Sequence, residues 1–197
     1  MDTLVFLGRT LGFSVAAGVN LYATIALIGL ASRFGWVALP PEYAIFDSDW
    51  VIGAALLLYA VEFMADKVPW VDTLWDTVHT FIRPLGGAAV AVASLGEASP
   101  GMTALVALVG GTVAAGAHAT KAGTRVVVNT SPEPFSNWIV SLAEDGFVLA
   151  LGFLALKYPL AALIVSSVVI VGIMMLAVVL VRAFRRRFGR SAAPASP

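Results

Sequence analysis

Long apolar runs alternate with short polar stretches along the 197-residue chain. A helix that crosses the hydrocarbon core of a bilayer needs about 20 apolar residues, and about six runs approach that length. They extend from Leu4 to Phe34, Trp50 to Met64, Val71 to Leu95, Met102 to Asn129, Trp138 to Leu156 and Leu160 to Val181. The pattern predicts an all-α integral membrane protein with about six transmembrane helices in one polytopic domain, residues 1–190, followed by a disordered tail, residues 191–197.

The two halves of this domain, residues 1–97 and 101–190, share a faint pattern. Each contains a small-residue step, then a polar residue, and later a Ser-x-Trp step: Val15–Gly18, Asn20 and Ser48–Trp50 in the first, Val113–Gly116, His118 and Ser136–Trp138 in the second. Three helices per half would give the halves opposite orientations, as in the inverted repeats of many transporters. Glycine weakens a helix interior, so Gly18-Val19-Asn20 and Gly116-Ala117-His118 are either broken or re-entrant helices or close-packing contacts between spans.

Composition supports the membrane assignment and narrows the chemistry. The chain is 59% hydrophobic and 12% charged, whereas soluble domains are about 25% charged. It has no cysteine, which excludes disulfides, thiolate nucleophiles and cysteine-ligated metals. Common phosphate-binding and hydrolase motifs are missing from the sequence. We therefore expect no cofactor, no nucleic-acid partner and no enzymatic activity, although a lipid-phosphate enzyme stays open.

The distribution of basic residues predicts the orientation of the chain. Five arginines follow the last apolar run, between Arg182 and Arg190, and cytoplasmic segments carry an excess of Lys and Arg. The C-terminus is therefore expected in the cytoplasm, and six crossings would put the N-terminus there too. That arrangement leaves Arg33 and Lys157 as the outside basic residues. The expected location is a bacterial inner membrane, with the lipid bilayer, a small-molecule or ion substrate and a homo-oligomer as candidate partners.

Two stripes of charged and polar residues interrupt the apolar pattern at helical spacing. Their members are Asp72, Asp76, His79 and Arg83 on the third run, and His118, Lys121, Arg125 and Asn129 on the fourth. Ionisable groups inside a membrane are costly and are usually functional or paired. Both stripes lie toward the same end of their helices, so we expect them to meet. The candidate binding or translocation site also includes polar residues of neighbouring segments: Asn20, Glu62, Asp66, Lys67, Glu133, Asn137, Glu144 and Asp145.

These residues allow three functions. In the first, a small transporter or channel-like protein, Arg83 and Arg125 hold an anionic group because a guanidinium suits carboxylate or phosphate, and the acids relay protons. In the second, Asp72, Asp76 and His79, together with the Glu62 and Asp66 carboxylates, bind Mn²⁺ or Mg²⁺ for divalent-cation transport. In the third, a non-transporting scaffold or a lipid-phosphate-binding or lipid-modifying protein carries its charges flat in the headgroup region.

Several long motifs resemble a known family. They are Glu62–Pro69, Val71–Pro84, His118–Lys121, Asn129–Asn137 and Glu144-Asp145. Together they resemble a bacterial membrane family catalogued as a domain of unknown function, DUF4126, over about residues 13–180. The resemblance implies an integral inner-membrane protein with these stretches as hallmarks. It supplies no substrate and no catalytic residue.

Overall fold

The computed structural model describes residues 3–39, 41–130 and 135–188, and these ranges are helical, with no strand. The helices are α1 (Thr3–Val19), α2 (Leu21–Arg33), a 3₁₀-helix (Pro41–Phe46), α3 (Asp49–Ala65), α4 (Pro69–Leu95), α5 (Pro100–Val128), α6 (Phe135–Lys157) and α7 (Pro159–Phe188). The all-α prediction is confirmed. The predicted tail at 191–197 and the Glu133 segment lie outside the described residues.

Four helices, α4 to α7, are long and apolar enough to cross a membrane. Helices α1 and α2 are shorter apolar helices of 17 and 13 residues. Proline stands in the first turn of α4 and α5, where its missing N–H costs no intrahelical hydrogen bond. Helix α4 ends at Gly96, whose φ of 73° is the left-handed conformation that glycine adopts readily.

The first apolar run is a helical hairpin rather than one continuous crossing. Asn20 is extended (φ −147°, ψ 101°) between α1 and α2, and its side-chain oxygen accepts a hydrogen bond from the Ala23 N–H. A side chain that caps a backbone N–H in this way starts a new helix. The expected break at Gly18-Val19-Asn20 is therefore present, at Asn20.

Contacts with α6 and with its turn into α7 show that α1 and α2 run in opposite directions. Asn20, just before α2, bonds Asp145 of α6. Seven residues later on each helix, Leu27 meets Gly152, where an added Cβ would lie 2.4 Å from Leu27 Cδ2. Helix α2 therefore runs parallel to α6. At the far end of α6, the Gly8 backbone of α1 packs directly on Pro159. The start of α1 and the end of α2 thus lie at the same end of the bundle, which we call the outer end.

This hairpin bears on two expectations. Because α1 and α2 enter and leave at the outer end while α7 starts there at Pro159 and runs away from it, the two termini of the described chain lie at opposite ends of the bundle. The helix directions therefore do not support the expectation that six crossings place both termini on one side. Arg9 also lies at the outer end, with Nη2 3.5 Å from the Ala38 carbonyl oxygen, and not with the arginines in the last turns of α7.

The inverted repeat is not supported by the directions of the helices. Helix α5 continues unbroken through Gly116-Ala117-His118, so of the two alternatives for this step the structure excludes the break. Gly18 of α1 packs against Ala114 of α5, and both helices run inward from the outer end. The helices that carry the two small-residue steps, α1 and α5, are therefore parallel. The helices that begin at the two Ser-x-Trp steps, α3 and α6, run in opposite directions. No single two-fold rotation relates both pairs of steps.

Small residues let α1 sit in the middle of the bundle, where it packs against α4, α5, α6 and α7. A Cβ on Gly18 would lie 2.4 Å from the Ala114 oxygen and 2.7 Å from Ala117 Cβ. One on Gly110 would lie 2.3 Å from Ala91 Cβ, where α5 crosses α4. Such close backbone approach is typical of helix packing in membranes.

The segment between α2 and α3 covers the outer end. Tyr43 of the 3₁₀-helix is fully buried beside Phe13, with ring centroids 6.0 Å apart. Its hydroxyl donates to Ser94 Oγ, because the Ser94 hydroxyl itself donates to the Val90 carbonyl. Burial raises the pKa of Tyr43 to about 12, so this hydroxyl stays a neutral donor at physiological pH.

Candidate functional site

Polar side chains from four helices and from the turn at Asn20 converge around the tip of the α1–α2 hairpin, toward the end opposite the outer end. The end of α3, the first half of α4, the second half of α5 and the first half of α6 supply most of them. We call this group the polar centre; it consists of Asn20, Glu62, Asp66, Lys67, Asp72, Asp76, His79, Arg83, His118, Lys121, Arg125, Asn129, Asn137, Glu144 and Asp145. All are buried except Lys67, Asn129 and Glu144, which are partly exposed.

Arg83 connects α4 to three other helices and is fully buried. Its Nη2 lies 2.8 Å from Glu62 Oε1 and 3.3 Å from Asp76 Oδ1. Its Nη1 donates to His118 Nδ1 at 2.8 Å and to the Gly18 carbonyl at 3.3 Å. Carbonyls in the last turn of a helix lack an intrahelical donor, so the guanidinium caps α1 at the hairpin tip.

Lys121 of α5 lies among three carboxylates. Its Nζ is 3.2 Å from Glu62 Oε1, 3.4 Å from Asp66 Oδ2 and 3.7 Å from Glu144 Oε2. Its side chain is only 2% exposed. Glu62 therefore bridges Lys121 and Arg83, and the two expected stripes on α4 and α5 belong to one ion network.

Arg125, one helical turn further along α5, has its own set of acidic partners. Its Nη2 lies 3.0 Å from Asp66 Oδ2, and its Nε lies 3.2 Å from Glu144 Oε2 and 3.6 Å from Asp72 Oδ1. Its Nη1 donates to Asn137 Oδ1 at 2.5 Å. Because these partners come from α3, α4 and α6, Arg125 holds the inner ends of four helices together.

Hydrogen bonds fix the tautomer of His118 and the position of one proton on His79. His118 Nδ1 faces the Arg83 guanidinium, which only donates, so Nδ1 accepts and Nε2–H donates to the Asp76 carbonyl at 3.1 Å. His79 Nδ1 donates to the Trp75 carbonyl at 2.7 Å, and its Nε2 lies 2.8 Å from the Tyr22 hydroxyl, which can donate or accept. The His118 imidazole is therefore neutral in this arrangement.

Two further contacts join the hairpin tip and α3 to α6. Asn20 Nδ2 donates to Asp145 Oδ1 at 3.1 Å. Lys67, in the turn after α3, donates to Ser141 Oγ at 2.6 Å and lies 3.6 Å from the centre of the Phe63 ring. Burial lowers the pKa of Lys67.

The polar centre contains more acidic than basic groups. Six carboxylates, those of Glu62, Asp66, Asp72, Asp76, Glu144 and Asp145, stand against four cations, Lys67, Arg83, Lys121 and Arg125. Several buried carboxylate oxygens accept no hydrogen bond, among them Glu62 Oε2, Asp66 Oδ1, Asp76 Oδ2 and Asp145 Oδ2. An uncompensated buried charge costs several kcal/mol, so the centre favours uptake of positive charge.

The geometry does not assemble the three metal candidates. Among the described residues, no three Asp, Glu or His side chains form a group that could hold a metal ion. Asp72 turns to Asn129 at 2.7 Å, Asp76 turns to Arg83, and both ring nitrogens of His79 are engaged. Glu133, the remaining predicted site residue, lies outside the described residues.

Two openings lead to the polar centre from different sides. One is a groove of about 360 Å³ between α5, α6 and α7. The other is a crevice of about 100 Å³ between α4 and α5, where Thr73, Thr77 and Thr80 surround the approach to Asp76. The walls of the first opening are mostly apolar and suit an apolar ligand. The second opening is lined by threonine hydroxyls and suits water or a small polar ligand.

Sequence reasoning missed Tyr22, Thr80 and Ser141. Tyr22 bonds His79, Thr80 Oγ1 lies 3.2 Å from His118 Nε2, and Ser141 accepts from Lys67. The spacing along the helix could have indicated two of them. Ser141 stands three and four residues before Glu144 and Asp145, and Thr80 stands four residues after Asp76, so each shares a helix face with charged residues. Tyr22 becomes recognisable only after the turn at Asn20 is known.

Comparison with known proteins gives a family but no function. The family model described as "Domain of unknown function (DUF4126)" matches residues 7–182. The chain therefore belongs to this family, as the motifs in Glu62–Pro69 and Val71–Pro84 indicated. No curated protein and no solved structure matches the chain.

Proposed function

We propose that this protein is a small membrane transporter whose polar centre binds and releases protons during transport of a solute. The supporting observation is the excess of carboxylates over cations in this centre, six against four, with five of the six carboxylates buried. Because a buried uncompensated carboxylate is costly, the centre reaches neutrality by taking up positive charge. A site that gains and loses this charge can couple solute movement to a proton gradient.

The arrangement of the arginines favours proton coupling over direct binding of an anion. Arg83 already contacts Glu62 and Asp76, and Arg125 already contacts Asp66, Asp72 and Glu144. An anionic solute would have to displace these carboxylates. Protonation of the same carboxylates is the simpler change, since it loosens the ion pairs that join α3, α4, α5 and α6.

The re-entrant hairpin supports the same proposal. Transporters place their sites where helices break near the middle of the membrane, because freed backbone groups can there bind substrates and ions. Here the break at Asn20 lies beside Asp145, and the Gly18 carbonyl lies against Arg83. A scaffold whose charges lie flat in the headgroup region would not bury them at the tip of a hairpin.

We infer that the polar centre lies in the cytoplasmic half of an inner membrane. In the hairpin topology nine of the twelve Lys and Arg residues belong to the inner half of the bundle or stand at or beyond the end of α7, and Arg9, Arg33 and Lys157 belong to the outer end. The C-terminus is then cytoplasmic by the excess of basic residues. On this proposal the N-terminus faces the opposite compartment.

Solute-driven proton movement in proteoliposomes tests the transport proposal. The purified chain is reconstituted with a pH-sensitive dye inside, and gradients of organic cations, amino acids, sugars and inorganic anions are applied in turn. At least one class is expected to change the internal pH, and Glu62→Gln is expected to slow that change at least tenfold. Glu97→Gln, at an exposed glutamate in the turn between α4 and α5, is the matched control and should keep the wild-type rate.

Two results would overturn the proposal. One is solute flux that leaves the internal pH unchanged. The other is proton movement that Glu62→Gln leaves at the wild-type rate. Asp66→Asn provides a second variant, because Asp66 pairs with Lys121 and Arg125 instead of Arg83. Thermal unfolding of each reconstituted variant identifies any loss of activity that comes from misfolding.

A further inference from the structure

The groove between α5, α6 and α7 has apolar walls and a charged end. Val140, Phe147, Val169 and Ile173 contribute to the walls, and Lys121 and Glu144 form the polar end. The groove opens at mid-length of α7, a helix whose most apolar window is only 6% buried. Because α5, α6 and α7 are all long and apolar enough to cross a membrane, the groove opens into the hydrocarbon region.

Glu144 is the acidic group that this groove makes accessible. Its side chain is 15% exposed, whereas those of Glu62, Asp66, Asp72 and Asp76 are between 0 and 5% exposed. The Lys121 ammonium at the same end lies within 4.0 Å of three carboxylates and is 2% exposed. A ligand in the groove therefore meets a partly free carboxylate and an ammonium whose charge is already neutralised.

We propose that this groove binds hydrophobic monocations that enter sideways from the bilayer, with the apolar part against Val140, Val169 and Ile173 and the positive group at Glu144. This substrate class rests on the transporter proposal above. The excess of buried carboxylates gives the groove the charge that complements a cation. Phe147 adds an aromatic wall, and a ring face attracts a cation that lies over it.

The same contacts disfavour an amphiphile with an anionic head. An anion at the end of the groove would approach Glu144 and compete with Glu62 and Asp66 for Lys121. Like charges brought together in a poorly hydrated site repel strongly. A cation instead replaces part of the positive charge that the polar centre lacks, so binding at Glu144 and protonation of the centre exclude each other. Such exclusion is what exchange of a cation for a proton requires.

Binding of tetraphenylphosphonium to the full chain in nanodiscs of zwitterionic lipid tests this inference. Radiolabelled probe is measured by equilibrium dialysis, and uptake by empty nanodiscs is subtracted. Glu144→Gln is expected to weaken binding at least tenfold, and Glu97→Gln to leave it unchanged. Ala143→Phe narrows the groove at an exposed position without changing its charge and should also weaken binding at least tenfold. Tetraphenylborate, of similar shape and opposite charge, should not displace the probe.

The inference is overturned if Glu144→Gln and Ala143→Phe both bind the probe like the wild-type chain, or if tetraphenylborate displaces it equally well. Glu144→Asp keeps the charge and is expected to keep binding within about threefold, which separates loss of the carboxylate from misfolding. Probe binding without proton movement would contradict the transporter proposal and leave this site in place. Proton movement driven by other solutes, without probe binding, would overturn this site and leave the transporter proposal in place.

Discussion

Asn20 and Asp145 are 125 positions apart in the chain and are joined by a hydrogen bond of 3.1 Å. The same asparagine accepts the Ala23 N–H with its side-chain oxygen at 2.9 Å. One side chain therefore starts α2 and ties the hairpin tip to α6. The position of the turn, and with it the return of the chain to the outer end, depends on both contacts.

Substitutions at Asn20 separate these two contacts. Asn20→Ser keeps an oxygen that can cap α2 but loses the donor to Asp145, whereas Asn20→Ala loses both. Loss of an N-cap costs about 1 kcal/mol, and a buried acceptor left without its donor costs about 1–3 kcal/mol. We expect the free energy of unfolding to fall in the order wild type, Asn20→Ser, Asn20→Ala. Reversible unfolding in mixed SDS micelles, followed by the fluorescence of the five tryptophans, measures it. Equal stability of all three proteins would contradict the role given to Asn20.

The glycines of α5 provide a matched pair for testing helix packing. A Cβ on Gly110 would lie 2.3 Å from Ala91 Cβ, whereas nothing lies within 4 Å of one on Gly123. Gly110→Ala should therefore push α4 and α5 apart, and overpacking of this kind costs about 1–3 kcal/mol. Gly123→Ala should stabilise the helix by about 0.5–1 kcal/mol, because alanine is the better helix former. The same unfolding assay compares them, and a shift of the same sign in both variants would disprove the close crossing at Gly110.

The charge stripes and the helix boundaries could be predicted from the sequence. Spacings of three and four residues put Asp76 and Arg83 on one helix face, and the same rule applied to α5 led to the expectation that the two faces meet. The Arg83–His118 contact at 2.8 Å is one such meeting point. Periodicity is a local property that survives folding unchanged. Helix starts at Pro69 and Pro100 are likewise visible in the sequence.

The sequence offered a break at Asn20, but the return of the chain to the outer end could not be predicted, because hydropathy gives the number of apolar residues and not the direction in which they run. A run of about thirty such residues reads the same as one long crossing or as two short helices. The candidate breaks at Asn20 and His118 also looked alike. They differ in what the polar side chain bonds. The short Asn20 side chain bonds the backbone three residues further on, at Ala23, and so interrupts the helix. The His118 ring instead bonds Arg83 and the Asp76 carbonyl on α4, and these tertiary contacts leave α5 intact.

Arg83 provides a test of whether the ion network needs a guanidinium or only a positive charge. Arg83→Ala leaves Asp76 without its cation and Glu62 with Lys121 alone, and removal of one partner of a buried ion pair costs about 3–5 kcal/mol. Arg83→Lys keeps the charge but loses the planar fork whose two Nη atoms reach Glu62 on one side and His118 and the Gly18 carbonyl on the other. We expect Arg83→Lys to be less stable than wild type and more stable than Arg83→Ala.

Arg33 is the matched control for this series. It pairs with Asp47 at 2.8 Å and Asp49 at 2.6 Å on the surface of the outer end. Exposed ion pairs contribute little, so Arg33→Ala should change the unfolding curve far less than Arg83→Ala. Equal effects at the two positions would mean that burial does not set the importance of the Arg83 network.

The hairpin predicts that the two termini lie on opposite sides of the membrane. Helices α1 and α2 have 17 and 13 residues, or about 26 and 20 Å at 1.5 Å per residue, and each is shorter than the hydrocarbon core of about 30 Å. The chain has no cysteine, so Thr3→Cys and Arg186→Cys each introduce a single reactive thiol. A membrane-impermeant maleimide should label Thr3→Cys in intact cells and Arg186→Cys only in inverted vesicles. Glu97→Cys, also at the outer end, should follow Thr3→Cys. If Thr3→Cys and Arg186→Cys were labelled from the same side, residues 3–33 would have to cross the membrane, and neither the hairpin nor a polar centre at its tip could be correct.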